Sequence, residues 1–251
     1  MEEVKHEGRA FYDDKTRADV YLPDAKNFDT IVYFHGGGMT EGSKNGANIT
    51  EIARYFCRNG YCVVCSDYTL YPEAKFPIYL RQCAKAVAFA AREALNNGGS
   101  GRIIVMGQSA GAWMALMLCF DEEYLKDEGV ERDRICAWII DSAQTTSHYN
   151  VIRFEQSLSP KAQRIDKYAP LYYLDENTRF SRMLLIYYQN DMPCRPQQNQ
   201  LLYAAIKNYN QDADVEMICL PGTHCNGSCE KRNGVYPFAE KALAFLRGEK
   251  A

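Results

Sequence analysis

The chain has 251 residues, of which 47% are hydrophobic and 24% charged, and its net charge is -3. These values are typical of a globular protein and argue against a strongly basic nucleic-acid-binding surface or one attracted to an acidic membrane. The charged N-terminal residues and the lack of an apolar run of about 20 residues predict neither a secretory signal nor a membrane span. We therefore expect a cytoplasmic protein without nucleic-acid or membrane partners.

Strand-like and helix-like segments alternate along the chain, and together they predict the fold class. The predicted strands are 17–22, 30–34, 61–66, 102–106, 135–140, 183–188 and 215–220. The predicted helices are 48–58, 77–95, 112–118, 197–207 and 237–247. Apolar strands separated by amphipathic helices are typical of an α/β protein whose mostly parallel sheet carries helices on both faces. We expect one domain over residues 1–251, with 142–170, which lack a clear strand, as a small cap insertion.

The segment Gly107–Gly111 has the sequence G-Q-S-A-G and lies between a predicted strand and a predicted helix. Glycines on both sides of Ser109 let strand and helix approach closely, and the serine can adopt strained dihedral angles that expose its hydroxyl. This is the pattern of the nucleophile elbow of a serine hydrolase. An ordinary strand-to-helix turn is the alternative that this segment alone leaves open.

A run of three glycines, Gly36–Gly38, follows His35 at the end of the predicted strand 30–34. Backbone N–H groups in such a run are free to point at one spot, as the negative oxygen of a tetrahedral acyl-transfer intermediate requires. A phosphate-binding loop would need a lysine at a fixed distance from its glycines, and Lys44 does not have that spacing. A flexible glycine loop is the remaining alternative.

A serine hydroxyl needs a general base, and the chain has four histidines that could supply it. His224 follows the last predicted strand directly, so its loop can reach back to Ser109. The other three are expected elsewhere: His6 before the fold, His35 in the glycine loop as a brace, and His148 in the cap. We therefore predict that His224 is the base, with a surface-loop histidine as the alternative.

The acid that orients the histidine has two candidates, each at the end of a predicted strand. Asp191 follows the strand 183–188, and Asp141 follows the strand 135–140. We favour Asp191 because its strand is nearer to His224 in the chain order.

Ten cysteines raise the question of disulfides or a metal site. They are scattered through a long chain, which favours reduced thiols. Cys62 and Cys65 lie three apart on a predicted strand and should point to opposite faces. Cys225 and Cys229 beside His224 could form half of a zinc site, but no second pair has suitable spacing. We expect neither a metal nor a cofactor.

Taken together, these motifs resemble the α/β-hydrolase superfamily, and within it the HGGG esterases related to hormone-sensitive lipase and to acetyl-xylan and feruloyl esterases. The resemblance rests on His35–Gly38, Gly107–Gly111, Asp191 and His224 in this order, and on Asp67–Glu73, D-Y-T-L-Y-P-E, which is similar to a family segment. Thr69 stands where the family has an arginine. The sequence is also shorter than that of a typical relative of hormone-sensitive lipase, and we expect no long N-terminal helical cap in it.

The resemblance implies a serine carboxylesterase that needs no cofactor and acts on a small-molecule ester. Ser109 would be the nucleophile, His224 the base and Asp191 the orienting acid. The backbone N–H groups of Gly37, Gly38 and Ala110 would form the oxyanion hole. A short cap would leave an open cleft, which suits a small acyl group on a bulky alcohol such as a sugar.

Two other functions stay open at the level of the sequence. One is an amidase, arylformamidase or small-peptide hydrolase that uses the same three side chains. The other is a non-catalytic binding protein on a hydrolase scaffold, since a fold alone does not fix an activity. Met39, Tyr68, Trp113 and the stretch 149–154 could line the pocket, although we favour core or cap packing for each of them.

Overall fold

The computed structural model describes residues 4–10 and 16–249. Its strands are β1 (Val4–Ala10), β2 (Arg17–Leu22), β3 (Thr30–Phe34), β4 (Cys62–Ser66), β5 (Ile103–Gln108), β6 (Ile135–Asp141), β7 (Arg182–Asn190) and β8 (Val215–Thr223). Its helices are α1 (Ala47–Arg58), α2 (Ile78–Asn96), α3 (Ala110–Phe120), α4 (Glu123–Asp127), α5 (Tyr149–Phe154), α6 (Arg195–Tyr209), α7 (Asn226–Cys229) and α8 (Pro237–Leu246). Within these described residues, no helix is both long enough and apolar enough to cross a bilayer.

The eight strands form one sheet in the order β1-β2-β4-β3-β5-β6-β7-β8. Pairing is parallel from β4 through β8 and antiparallel for β1 with β2 and β2 with β4. The prediction of a mostly parallel sheet is therefore confirmed. The expectation that His6 precedes the fold is wrong, because residue 6 lies in β1 opposite Val20. The sequence of β1 is polar and did not predict a strand. The strand is defined by its backbone pairing with β2.

The core has two layers, one on each face of the sheet. Residues of α2, α3 and α6 pack on one face, and residues of α1 and α8 pack on the other. Successive residues of β3 alternate between the layers: Val32 joins the first and Tyr33 the second. Cys62 and Cys65 also lie in different layers, as predicted, so they cannot share a metal ion. Burial on both faces explains why these strands are apolar throughout.

The loops that follow the parallel strands meet at one edge of the sheet, where ligands of open α/β sheets bind. Gly36 comes two residues after β3, Ser109 directly after β5 and Ser142 directly after β6. β7 and β8 extend to Asn190 and Thr223, two and three residues beyond their predicted ends. Each longer strand therefore delivers the next residue, Asp191 or His224, straight to this edge.

The segment 142–170 contains the helix α5 and packs over this edge. Residues 142–148 are all buried, and the side-chain amide of Asn150 donates to the carbonyl oxygen of Gly38 at 2.6 Å. The segment thus contacts the glycine loop directly.

Candidate active site

Ser109 lies at a strained turn between β5 and α3. Its dihedral angles are φ 53° and ψ −112°, and its N–H donates to the carbonyl oxygen of Asp141 at 2.8 Å. A Cβ on Gly107 would lie 2.3 Å from the Gly111 carbonyl oxygen, and one on Gly111 would lie 2.2 Å from that of Phe34. Both distances are below van der Waals contact, so this turn requires glycine at both positions.

The structure brings the three predicted side chains together. The Ser109 hydroxyl lies 2.8 Å from His224 Nε2, and His224 Nδ1 lies 2.6 Å from Asp191 Oδ1. With the proton on Nδ1, the imidazole donates to Asp191 and can accept the serine proton at Nε2. The imidazole is 25% exposed while the Asp191 side chain is buried, so the histidine faces the solvent side of the site and the acid lies behind it.

The other histidines whose side chains are described lie away from this hydrogen-bonded chain. His35 stacks on Tyr68 with ring centroids 4.3 Å apart and donates from Nδ1 to the Gly36 carbonyl at 2.7 Å. The prediction that it braces the glycine loop is therefore confirmed. His148 caps α5 by accepting from the Asn150 N–H at 3.2 Å. Burial lowers the pKa of both histidines, which favours their neutral forms.

Asp191 accepts hydrogen bonds from three donors. One of them, the hydroxyl of Ser142, was not predicted from the sequence. Burial alone would raise the pKa of this carboxyl, but hydrogen bonds from His224, from Ser142 and from the Met192 N–H outweigh it and hold the pKa below its usual value. Ser142 Oγ lies 2.5 Å from Asp191 Oδ2 and 2.8 Å from His224 Nδ1. A serine directly after a buried strand is a common pattern, so the sequence alone did not identify Ser142 as part of the site.

Asp141, the alternative acid, lies elsewhere. Its carboxylate is buried and accepts from the hydroxyls of Tyr188 at 2.8 Å and Ser228 at 2.5 Å. Burial raises the pKa of Asp141 to about 7, against the opposing effect of these two donors. Its side chain thus ties β7 and α7 to the strand beside Ser109, and Asp191 is the acid that reaches the imidazole.

The glycine loop has the conformation that bare N–H groups require. Gly37 and Gly38 have φ values of 103° and 61°. In the described part of the chain, neither of their N–H groups donates to a backbone carbonyl. The N–H of Ala110 belongs to the first turn of α3, where helix geometry leaves N–H groups without an intrahelical acceptor. A Cβ on Gly38 would lie 2.3 Å from the Tyr149 hydroxyl, so Tyr149 packs tightly against this loop.

A polar network connects α7, just after His224, to the nucleophile turn, and sequence patterns did not reveal it. Asn48 Nδ2 donates to the Ser228 carbonyl at 2.9 Å and to Gln108 Oε1 at 3.3 Å, while Gln108 Nε2 lies 3.0 Å from Cys229 Sγ. Cys225 is buried with its Sγ 3.7 Å from His224 Nε2. Among the residues whose side chains the structure describes, no group of three or more His, Cys, Asp or Glu could hold a metal ion.

A cavity of about 480 Å³ borders the site. It is lined by Tyr149 at the start of α5, by Met192 next to Asp191, and by Arg195 at the start of α6. Of the candidate pocket residues, Met39, Tyr68 and Trp113 are instead buried in the core layer that contains α2 and α3.

Comparison with known proteins supports the fold. Esterase 2 of Thermogutta terrifontis, phosphonylated by sarin, superposes with a TM-score of 0.79 at 17% identity, over 95% of this chain and 92% of that one. The hyperthermophilic esterase from the archaeon Pyrobaculum calidifontis gives a TM-score of 0.72 at 21% identity, over 98% of this chain and 85% of that one. These likenesses confirm the α/β-hydrolase fold.

At the level of sequence, Lipase 2 of Moraxella sp. (strain TA144) is 33% identical over 90 residues. That match covers 35% of this chain and only 20% of the lipase. The model of the BD-FAE family matches residues 18–206, well over half of the chain and including Ser109 and Asp191. The chain therefore belongs to the BD-FAE family, in agreement with the resemblance to esterases that its motifs indicated.

Proposed function

We propose that the protein hydrolyses carboxylic esters through an acyl-serine intermediate, with Ser109 as nucleophile, His224 as general base and Asp191 as orienting acid. The observation that carries this proposal is the continuous hydrogen-bonded chain from Ser109 Oγ to His224 Nε2 at 2.8 Å and from His224 Nδ1 to Asp191 Oδ1 at 2.6 Å. Membership of the BD-FAE family and the fold shared with esterases support it.

The reaction would proceed in two halves. His224 Nε2 takes the Ser109 proton as Oγ attacks the ester carbonyl carbon, and the same proton then goes to the leaving alcohol oxygen. Water loses a proton to His224 and attacks the acyl-serine, which releases the carboxylic acid and restores the serine hydroxyl. In each half a tetrahedral oxyanion would accept hydrogen bonds from the N–H groups of Gly37, Gly38 and Ala110.

The test is a comparison of Ser109→Ala with the unchanged enzyme on p-nitrophenyl esters of increasing acyl length and on acetylated sugars. We expect turnover to fall by a factor on the order of 10⁶ and labelling by a fluorophosphonate probe to disappear. The control is Ser100→Ala, because Ser100 lies near the opposite end of β5 and bonds Asp29 instead. Full turnover in Ser109→Ala would exclude the proposal.

Matched ester and amide substrates separate an esterase from an amidase. Both would use the same three side chains, so Ser109→Ala does not distinguish them. We expect the unchanged enzyme to favour the ester. A higher kcat/KM on the amide would instead favour an arylformamidase or a small-peptide hydrolase.

We also propose that the protein works in a reducing compartment such as the cytoplasm. All ten cysteines are free thiols in the structure. Disulfides form and persist mainly in oxidising compartments. A quantitative thiol assay on denatured protein that finds ten reactive thiols would agree with this proposal, and fewer thiols would contradict it.

A further inference from the structure

The cavity of about 480 Å³ is separated from the proposed catalytic side chains by one layer of residues, and a cavity so placed can take a group attached to the scissile ester. Two of its lining residues contact the site: Met192 donates its N–H to Asp191 Oδ1 at 2.7 Å, and the Tyr149 hydroxyl lies over Gly38. Pro160, Pro193 and Cys194 add apolar surface to its wall. A short hydrocarbon segment would therefore fit it.

One lining residue does not suit a purely apolar ligand. Arg195 is only 3% exposed, although its guanidinium carries a positive charge. Its hydrogen bonds go to neutral acceptors, the Ser142 carbonyl at 2.5 Å, Gln144 Oε1 at 3.5 Å and Met192 Sδ at 3.9 Å. No described carboxylate forms an ion pair with it within 4.0 Å. A buried cation is costly unless an anion faces it.

Among the described residues, no acidic side chain lines the cavity itself. Asp191 is the nearby acid, and its negative charge attracts Arg195 from outside the lining, but its oxygens accept hydrogen bonds from His224, Ser142 and the Met192 N–H and none from the guanidinium. The remaining polar lining consists of neutral glutamines at 144, 163 and 198 and of a second cation, Lys161. The N-terminus of α6, where Arg195 lies, adds further positive potential.

From this arrangement we infer that the substrate is an ester carrying a second, free carboxylate, which binds Arg195 in the cavity while the ester carbonyl lies at Ser109. The inference rests on the proposed ester hydrolysis and names its substrate class. The planar guanidinium suits a carboxylate because two of its N–H groups can bind two oxygens at once. The carboxylate could belong to the acid part of the ester or to its alcohol part.

The experiment measures kcat/KM on pairs of substrates that differ only in this charge. For the acid part, monomethyl glutarate is compared with its uncharged amide, methyl 5-amino-5-oxopentanoate. For the alcohol part, 4-acetoxybenzoate is compared with 4-acetoxybenzamide. We expect the carboxylate to be favoured about tenfold to a hundredfold in one pair, as one charge-assisted hydrogen bond would give. The pair that shows the preference identifies which part of the ester enters the cavity.

Two variants connect the preference to Arg195. Arg195→Met should abolish it, and the ratio within each pair cancels any common loss caused by the lost bond to Ser142. Gln163→Glu keeps the side-chain shape and the acceptor that Gln198 Nε2 binds, but places a carboxylate in the cavity wall. It should lower the ratio about twofold to fivefold by repelling the substrate carboxylate, a modest effect because residue 163 is exposed and water screens its charge. It also decides the matter if Arg195→Met does not fold.

The outcomes are distinct. Equal kcat/KM within both pairs would overturn the inference, as would a preference that survives in Arg195→Met or is not lowered in Gln163→Glu. Failure of the proposed function itself looks different, because then no member of either pair is turned over in a Ser109-dependent way.

Discussion

Ser142 donates its hydroxyl hydrogen to Asp191 Oδ2 at 2.5 Å, on the carboxylate oxygen that does not face His224 Nδ1. Because the same hydroxyl oxygen lies 2.8 Å from Nδ1, it can also accept part of the hydrogen bond from the imidazole. Ser142 therefore holds both the acid and the base of the proposed site in one orientation, from a backbone with φ 55°.

Removal of the Ser142 hydroxyl should lower kcat/KM about tenfold, the effect of losing one hydrogen bond to a charged group. Ser142→Gly and Ser142→Ala should lose the same activity. The free energy of unfolding of Ser142→Ala should be about 1 kcal/mol lower than that of Ser142→Gly, since alanine tolerates a positive φ less well than glycine. Steady-state kinetics and urea unfolding of both variants test this. Unchanged kinetics in both would remove Ser142 from a positioning role.

Asp191→Asn should reduce kcat by a factor of about 10³ to 10⁴, because an amide cannot hold the imidazole in the required tautomer. Asp141→Asn is the matched control, because this acid also follows a parallel strand but bonds Tyr188 and Ser228 instead. We expect it to keep kcat within about tenfold. If Asp141→Asn lost more activity than Asp191→Asn, the assignment of the acid would be reversed.

Asp141 should make the stability of the fold depend on pH. Burial raises its pKa in the folded chain to about 7, above the usual value of 3.8 that the unfolded chain retains. The folded chain therefore binds the proton more tightly, and this residue's contribution to stability falls as the pH rises from 3.8 to about 7. Between these two pH values, the contribution of Asp141 to the free energy of unfolding should fall by at most about 4 kcal/mol.

Urea unfolding between pH 4 and pH 8 measures this effect. Asp141→Asn carries no titratable proton, so its free energy of unfolding should fall less with rising pH than that of the unchanged protein. Asp191 acts in the opposite direction, since its lowered pKa gives stability that is lost as the pH falls through its folded value. The curve of free energy of unfolding against pH for one protein sums both contributions. The contribution of Asp141 is therefore read from the difference between the curves of Asp141→Asn and the unchanged protein. Parallel curves for the two proteins would show that Asp141 does not titrate in this range.

Gly38→Ala should lower kcat about a hundredfold, as expected when an oxyanion donor is displaced. Its added Cβ would lie 2.3 Å from the Tyr149 hydroxyl, and its φ of 61° disfavours alanine. Gly129→Ala is a matched control, because Gly129 has a φ of 69° but no atom within 4 Å of an added Cβ. It should carry the same backbone strain and keep full activity. Equal activity of the two variants would argue against Gly38 as an oxyanion donor.

Cys225→Ala should retain activity within about threefold. The thiol is buried and burial raises its pKa, so it stays protonated at neutral pH and does not act as a nucleophile beside His224. After iodoacetamide treatment of the native protein, mass spectrometry should accordingly find Cys225 unmodified, in contrast to the exposed Cys194. A loss above about thirtyfold in Cys225→Ala would instead assign the thiol a role in holding the imidazole.

The sequence determined the elements and the identity of the chemically distinctive residues. Apolar strands buried on both faces and glycines around Ser109 and after His35 leave local patterns, because backbone periodicity and steric limits act between near neighbours. The six-stranded parallel part of the sheet, and Ser109, His224 and Asp191 as the side chains that meet, were predictable for this reason. β1 was not, because its residues carry no apolar alternation and only its backbone pairing with β2 makes it a strand.

Tertiary structure alone decided what surrounds those residues. The hydroxyl of Ser142 on Asp191, the Asp141 contacts with Tyr188 and Ser228, and Arg195 in the cavity wall join segments dozens of residues apart. Serine, aspartate and arginine are frequent at such positions, so no local pattern marks them. Their roles come from burial, which strengthens hydrogen bonds and makes an unpaired charge costly, and burial is a property of the packed fold.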